Sequence, residues 1–221
     1  MSRRPASLRA VLPFAAAVPA LAVALLLAAP LPGRAQIPGE NVNMVSGTGW
    51  PGGDPFLQRQ NEPSIAVSSA NPLHLLAGAN DYRSVDLSLA VTKMAGDAWL
   101  GVFKSYDGGQ TWRSTLMPGY PLDTSPEGQG SPLRGFTAAA DPVVRAGPAG
   151  MLYFSGISFN RATNIGQVFV SRWHDGNDKE NGDVVAAQDP IRYLDATVIE
   201  TGTSGQFMDK PWMAVDAPRP G

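Results

Sequence analysis

The chain has 221 residues, among them 24 glycines, 20 prolines and no cysteine. So many backbone breakers exclude a mostly helical protein. The missing thiols exclude disulfide frameworks, thiol nucleophiles and Cys-ligated zinc. Only His74 and His174 are available as imidazoles, too few for a multi-histidine metal cluster or a good choice of triads. With 43% apolar and only 16% charged residues, the composition is that of a folded chain rather than a solvated, disordered one.

Residues 1–35 read as a secretory signal peptide. Arg3, Arg4 and Arg9 precede an apolar stretch from Val11 to Pro30, and Gly33-Arg34-Ala35 supplies the small residues a signal peptidase needs, with the cut expected after Ala35. The stretch is also long enough to span a bilayer if uncleaved. Ser2-Arg3-Arg4 hints at a twin-arginine address, but Pro5-Ala6-Ser7 lacks the bulky apolar residues that should follow. Four of the 17 basic residues leave with the leader and none of the 19 acidic ones do. The mature chain then carries 13 positive and 19 negative charges, a formal net charge of −6. It has no basic cluster for a phosphate backbone, so nucleic acid is not an expected partner. A secreted or periplasmic protein with no membrane span after cleavage is expected.

After an extended leader at 36–60, short apolar runs alternate with turn clusters, which is an all-β pattern. The expected strands are Ser64 to Val67, Leu73 to Ala77, Trp99 to Lys104, Thr111 to Leu116, Val143 to Ala146, Met151 to Ile157, Val168 to Trp173, Arg192 to Ile199 and Trp212 to Val215. They repeat. Glu62-Pro63-Ser64-Ile65-Ala66-Val67 aligns with Asp141-Pro142-Val143-Val144-Arg145-Ala146 and, more loosely, with Lys210-Pro211-Trp212-Met213-Ala214-Val215. In the first two units a glycine follows, Gly78 and Gly156, and five residues later an arginine, Arg83 and Arg161.

Tandem four-stranded units of fixed register predict a β-propeller, whose blades are too small to bury both faces alone. The units are 61–140, 141–208 and the first strand of a third blade at 209–221. Closure takes at least about four blades, so a truncated piece of a longer protein is expected, with the remaining blades of the same chain as its partners.

Between the third and fourth strands of unit one, Ser105-Tyr106-Asp107-Gly108-Gly109-Gln110-Thr111-Trp112 fits S-x-D-x-G-x-T-W. An aspartate here can accept N–H bonds across its own turn, and the glycines supply positive φ. The segment resembles the Asp box of sialidase-like, or BNR-repeat, propellers of secreted bacterial type, with Ser105, Asp107, Gly109, Thr111 and Trp112 in the specified positions. Asn61 to Val67, Ala79 to Arg83 and Asp209 to Trp212 are similar to other segments of that family. In unit two, Ser171 to Gly176 sits where a second box would be and has the wrong spacing.

The resemblance implies a structural role for the box and a ligand rim on the opposite face. That rim carries Arg83 and Arg161, placed identically in consecutive units, where two guanidiniums could clamp a carboxylate. Pairing with Asp81 or Asp86 is the structural alternative. Asp81, Asp86, Tyr82 and Glu127 are further candidates for acid/base work. Sialidases use an arginine cluster with a tyrosine nucleophile, but their Arg-Ile-Pro segment is absent here, so no catalytic role carries over. The expected function is glycan or protein binding; the alternative is an exo-α-sialidase-type glycoside hydrolase acting on terminal acidic sugars.

No cofactor or metal is expected. Gly47 to Gly52 satisfies G-x-G-x-x-G, but Pro51 and Pro55 forbid the helix a dinucleotide would need. Asp175 to Asp183 is rich in Asp, Asn and Gly, yet Lys179 falls at a ligand position of a calcium loop. Gly202-Thr203-Ser204-Gly205 falls short of G-x-S-x-G and reads as a turn.

Overall fold

The computed structural model describes residues 42–45, 60–83, 97–177, 189–203 and 205–216. The expected signal peptide, the Gly47–Gly52 loop, Asp86 and the acidic loop beyond Asn177 lie outside the described residues.

Among the described residues, eight strands make two sheets. β1 (Gln60–Val67), β2 (Leu75–Asp81), β3 (Trp99–Ser105) and β4 (Arg113–Leu116) form the first. After one helical turn, α1 (Pro126–Gln129), β5 (Ala138–Ala146), β6 (Met151–Asn160), β7 (Ile165–Asp175) and β8 (Ile191–Gly202) form the second. In each, neighbours in sequence are neighbours in the sheet and every pair is antiparallel.

The sheets stack face to face, with β5 against β1, β2 and β3. Along β3, Leu100 and Val102 face the second sheet and Phe103 faces away, so the whole strand is buried. Leu76, Leu100 and Val102 meet Val144, Leu152, Phe154 and Phe169 in a continuous core. Two antiparallel meanders of this kind, each needing the other's face, are consecutive blades of a β-propeller.

Glycines set the spacing at the seam. A Cβ on Gly78 would lie 2.5 Å from Phe154 Cε2 and 3.0 Å from Pro142 Cβ. One on Gly156 would lie 2.6 Å from Leu100 Cδ1. Each repeat glycine is thus the socket for a large side chain of the other blade.

At the far end from the arginine rim, polar pins cross the same seam. His74 Nδ1 meets the Asp175 carboxylate at 2.9 Å with both side chains fully buried, and the edge of Tyr106 packs on the imidazole at 5.2 Å. Asp189 accepts from both Lys104 and the Tyr106 hydroxyl, while Lys104 also donates to Ile191 O at 2.7 Å and lies over the Trp173 ring. Burial pushes the Lys104 ammonium below its ordinary value, against the attraction of Asp189. Burial, aided by Asp189, pushes the Tyr106 hydroxyl up.

Two expectations need correction. β1 and β5 begin at Gln60 and Ala138, not at Ser64 and Val143, because a register shift on each strand lets the ladder continue on both sides of Pro63 and Pro142. Trp212 to Val215 is not a strand. It has no ladder partner among the described residues, and packs beside the second sheet with Val215 near Gly147; just before it, Phe207 packs against Phe159.

Candidate functional site

Three repeat-equivalent residues, each just before a proline, share one uncommon backbone conformation. Glu62, Asp141 and Lys210 have φ of 53°, 61° and 51°. For residues with a Cβ, left-handed φ costs on the order of 1–3 kcal/mol each when the surroundings hold it. The consequence is visible in the side chains. Lys210 Nζ donates to both oxygens of Glu62 at 2.9 Å and to Asp141 Oδ1 at 3.0 Å. The Lys210 N–H donates to Asp141 Oδ2 at 3.2 Å. Asn80, at the end of β2, donates to Glu62 at 3.3 Å and accepts the Asp141 N–H at 2.8 Å. The left-handed turn and its register shift on β1 and β5 therefore bring two acids and a cation to one point between the innermost strands.

That point opens into a groove of ≈ 640 Å³ whose walls include Ser64, Ile65, Val143, Arg145 and Trp212. The volume is within the roughly 300–1,000 Å³ common for small-molecule sites. Trp212 is 82% exposed, and the Arg145 guanidinium lies 5.0 Å from its ring centroid. Burial alone would raise the Asp141 pKa; hydrogen bonding at the carboxylate, from the Lys210 ammonium and N–H, outweighs it, and the net direction is down. Glu62 and Asp141 hold the Lys210 ammonium above its ordinary value.

A depressed carboxylate contributes above its unfolded pKa, near 3.8 for Asp141, and loses that contribution as pH falls through the lower folded value. Lys210→Met is thus expected to lower the melting temperature at pH 7 but to melt like the parent once the pH is below the carboxylate range. Melting curves from pH 7 to pH 2 check this; a gap that persists in acid contradicts it.

The arginines of the rim have different surroundings despite their matching places. Arg83 is buried. Its Nε and Nη2 donate to Asp81 Oδ2 at 2.8 and 2.6 Å, Nη1 to Ser114 Oγ and Nη2 to Thr115 O, both at 3.1 Å. Arg161 is exposed, paired with Asp97, its guanidinium 5.1 Å from the Phe159 ring centroid. The difference traces to the residue two places earlier, Asp81 in one unit and Phe159 in the other. Arg83 turns towards β4, and Arg161 turns to Asp97. Tyr82 is half-buried near Arg161. Glu127 is exposed in α1 and lines a separate cleft with Lys104 and Asp189.

The 105–112 turn lies at the opposite end of the first sheet from the hub. Asp107 accepts the Thr111 N–H at 2.9 Å and its hydroxyl at 2.5 Å, Ser105 Oγ accepts the Gly109 N–H at 2.8 Å, and the Trp112 indole donates to Gly109 O at 2.9 Å. Gly108 and Gly109 take φ of 74° and 92°. Desolvation of Asp107 is small, and the bonds from the Thr111 hydroxyl and N–H more than offset it and lower its pKa.

Glu62, Asp141 and Lys210 stood in the sequence only as marks of repeat register. A charged residue before each aligned proline was the signal available. Among the described residues, no group of three or more His, Cys, Asp or Glu side chains could hold a metal ion, and no helix is long and apolar enough to cross a membrane.

No protein-family model matches the chain, and no curated protein matches it. Two solved structures are similar to parts of it. One is the Trypanosoma rangeli sialidase in complex with the inhibitor DANA, at 14% identity and a TM-score of 0.37 over 63% of this chain and 20% of the sialidase chain. The other is a structure described with the GH130 family of mannoside phosphorylases and its glycoside hydrolases that target β-1,2 mannosidic linkages in Candida mannan. It is 15% identical, with a TM-score of 0.30 over 51% of this chain and 28% of that one. The chain thus spans under a third of either neighbour's length. The assignment of blades rests on the two sheets themselves.

Proposed function

We propose that the chain is part of an exported, sialidase-like propeller whose hub groove binds a glycan. The observation that carries this is the meeting of Glu62 and Asp141 beside the exposed Trp212 indole in one groove. A sugar ring presents an apolar C–H face and a rim of hydroxyls. An indole offers a flat apolar surface to the first, and carboxylates accept hydrogen bonds from the second. Lys210 and Arg145 supply donors for ring and hydroxyl oxygens.

An exo-α-sialidase-type hydrolase would need a guanidinium turned to its ligand. The burial of Arg83 against Asp81 favours binding over that chemistry. Export belongs to the same proposal, and the exported protein is expected to begin at Gln36.

A glycan array probed with the full chain tests the proposal. Retention of at least one glycan is expected, weakened about tenfold by Trp212→Ala, the equivalent of about 1.4 kcal/mol. Trp212 is so exposed that its truncation leaves the core untouched. An array without retained glycans, or binding indifferent to the substitution, refutes the hub as a glycan site. Release of a fluorescent alcohol from a sialoside would establish the hydrolase instead.

A further inference from the structure

The rim segment between β4 and α1 contains a turn whose shape asks for a different residue. The Asp123 N–H donates to Tyr120 O at 2.9 Å, Pro121 takes the second position, and Leu122 takes the third with φ of 73°. This fits a type II turn, where the third position is normally glycine because other side chains are strained there. The leucine side chain is 64% exposed, so the fold gains little burial from it.

The turn is nonetheless firmly held. The Asp123 carboxylate accepts the N–H of Gly119 at 2.8 Å and of Ser125 at 2.9 Å, and Gln129 donates to Asp123 O at 2.6 Å. A non-glycine residue held by its surroundings at a left-handed φ is an outlier of the kind that clusters at ligand clamps and active sites.

Beside it lies a groove of ≈ 580 Å³, walled by Tyr120, Pro121, Leu122 and Phe136 and carrying Arg134. Asp123 also lines it, but its oxygens are taken by the turn's own N–H groups. Among the described residues no carboxylate pairs with Arg134. The groove therefore combines apolar walls with a cation whose charge the described fold leaves uncompensated. It shares no residue with the hub groove.

We infer that the Leu122 turn and the Arg134 groove form a docking surface for a protein segment carrying a carboxylate next to an apolar side chain. The forked guanidinium suits a carboxylate, and Leu122 with Phe136 suits the apolar neighbour. The partner's segment needs no charge beyond that one acid.

A displayed library of random peptides selected on the full chain tests this. Enrichment of Asp or Glu adjacent to Leu, Ile or Phe is expected. Binding of the selected peptides should fall at least about tenfold with Arg134→Ala and with Leu122→Gly, and should survive Trp212→Ala at the hub. Leu122→Gly should not lower the melting temperature, because glycine fits the turn better. The inference is overturned if no such motif is enriched, if the peptides bind the Arg134→Ala protein as well as the parent, or if Leu122→Gly destabilises the fold.

Discussion

Replacing Asp81 with alanine is expected to destabilise the protein by about 3–5 kcal/mol, the usual penalty when one member of a buried ion pair is removed and the other stays charged without compensation. Asp81 and Arg83 have fully buried side chains, and the aspartate accepts from the Arg83 backbone N–H at 3.0 Å as well as from the guanidinium. Ser114 and Thr115 would keep two of the arginine's hydrogen bonds but supply no negative charge. Such a loss is a large share of the roughly 5–15 kcal/mol that holds a typical domain together.

The companion experiment separates the ion pair from the packing around it. Asp81→Leu combined with Arg83→Met is expected to recover most of the loss, since an apolar replacement of a buried pair is often neutral or stabilising. Denaturant midpoints of the two variants check this. If Asp81→Ala costs under about 1 kcal/mol, of the order of an exposed pair, Arg83 is not held as described.

The second large effect is expected at the seam. Gly78→Ala places a methyl group against the Phe154 ring with Pro142 close behind it, and overpacking of this kind costs about 1–3 kcal/mol. Because the clash has one principal partner, adding Phe154→Leu should restore part of the stability that Gly78→Ala removes. In a double-mutant cycle the two changes should be non-additive, as expected for residues in contact. Additive losses would place Phe154 elsewhere. A glycine at the same place in an isolated sheet would tolerate alanine, so the size of the penalty also reports on the stacking of the blades.

Much of this seam was legible in the chain. The recurrence of a proline and, fourteen or fifteen residues later, a glycine marked the two units, and the apolar character of both faces of β3 required a sheet on either side. Strand ends were less legible. The strands were expected to start at Ser64 and Val143, just after Pro63 and Pro142; proline cannot donate to a ladder, but the left-handed residue before each one absorbs the interruption within the strand.

The rim arginines show the limit of repeat position as a guide. It placed Arg83 and Arg161 correctly along the backbone but said nothing about where their side chains turn. That is decided by Asp81, which captures its arginine, and by Phe159, which has only a ring to offer. The hub was the least legible part. Glu62, Asp141 and Lys210 lie far apart in sequence, and only stacking of the blades brings their charges together.

The reciprocal sockets at Gly78 and Gly156 have a consequence for module exchange. The residue two before each glycine is Leu76 in one unit and Phe154 in the other. A tandem copy of the first blade set in the second position would seat leucine where Gly78 accommodates an aromatic ring, leaving a void at the junction. Interchangeable backbones therefore do not make interchangeable parts.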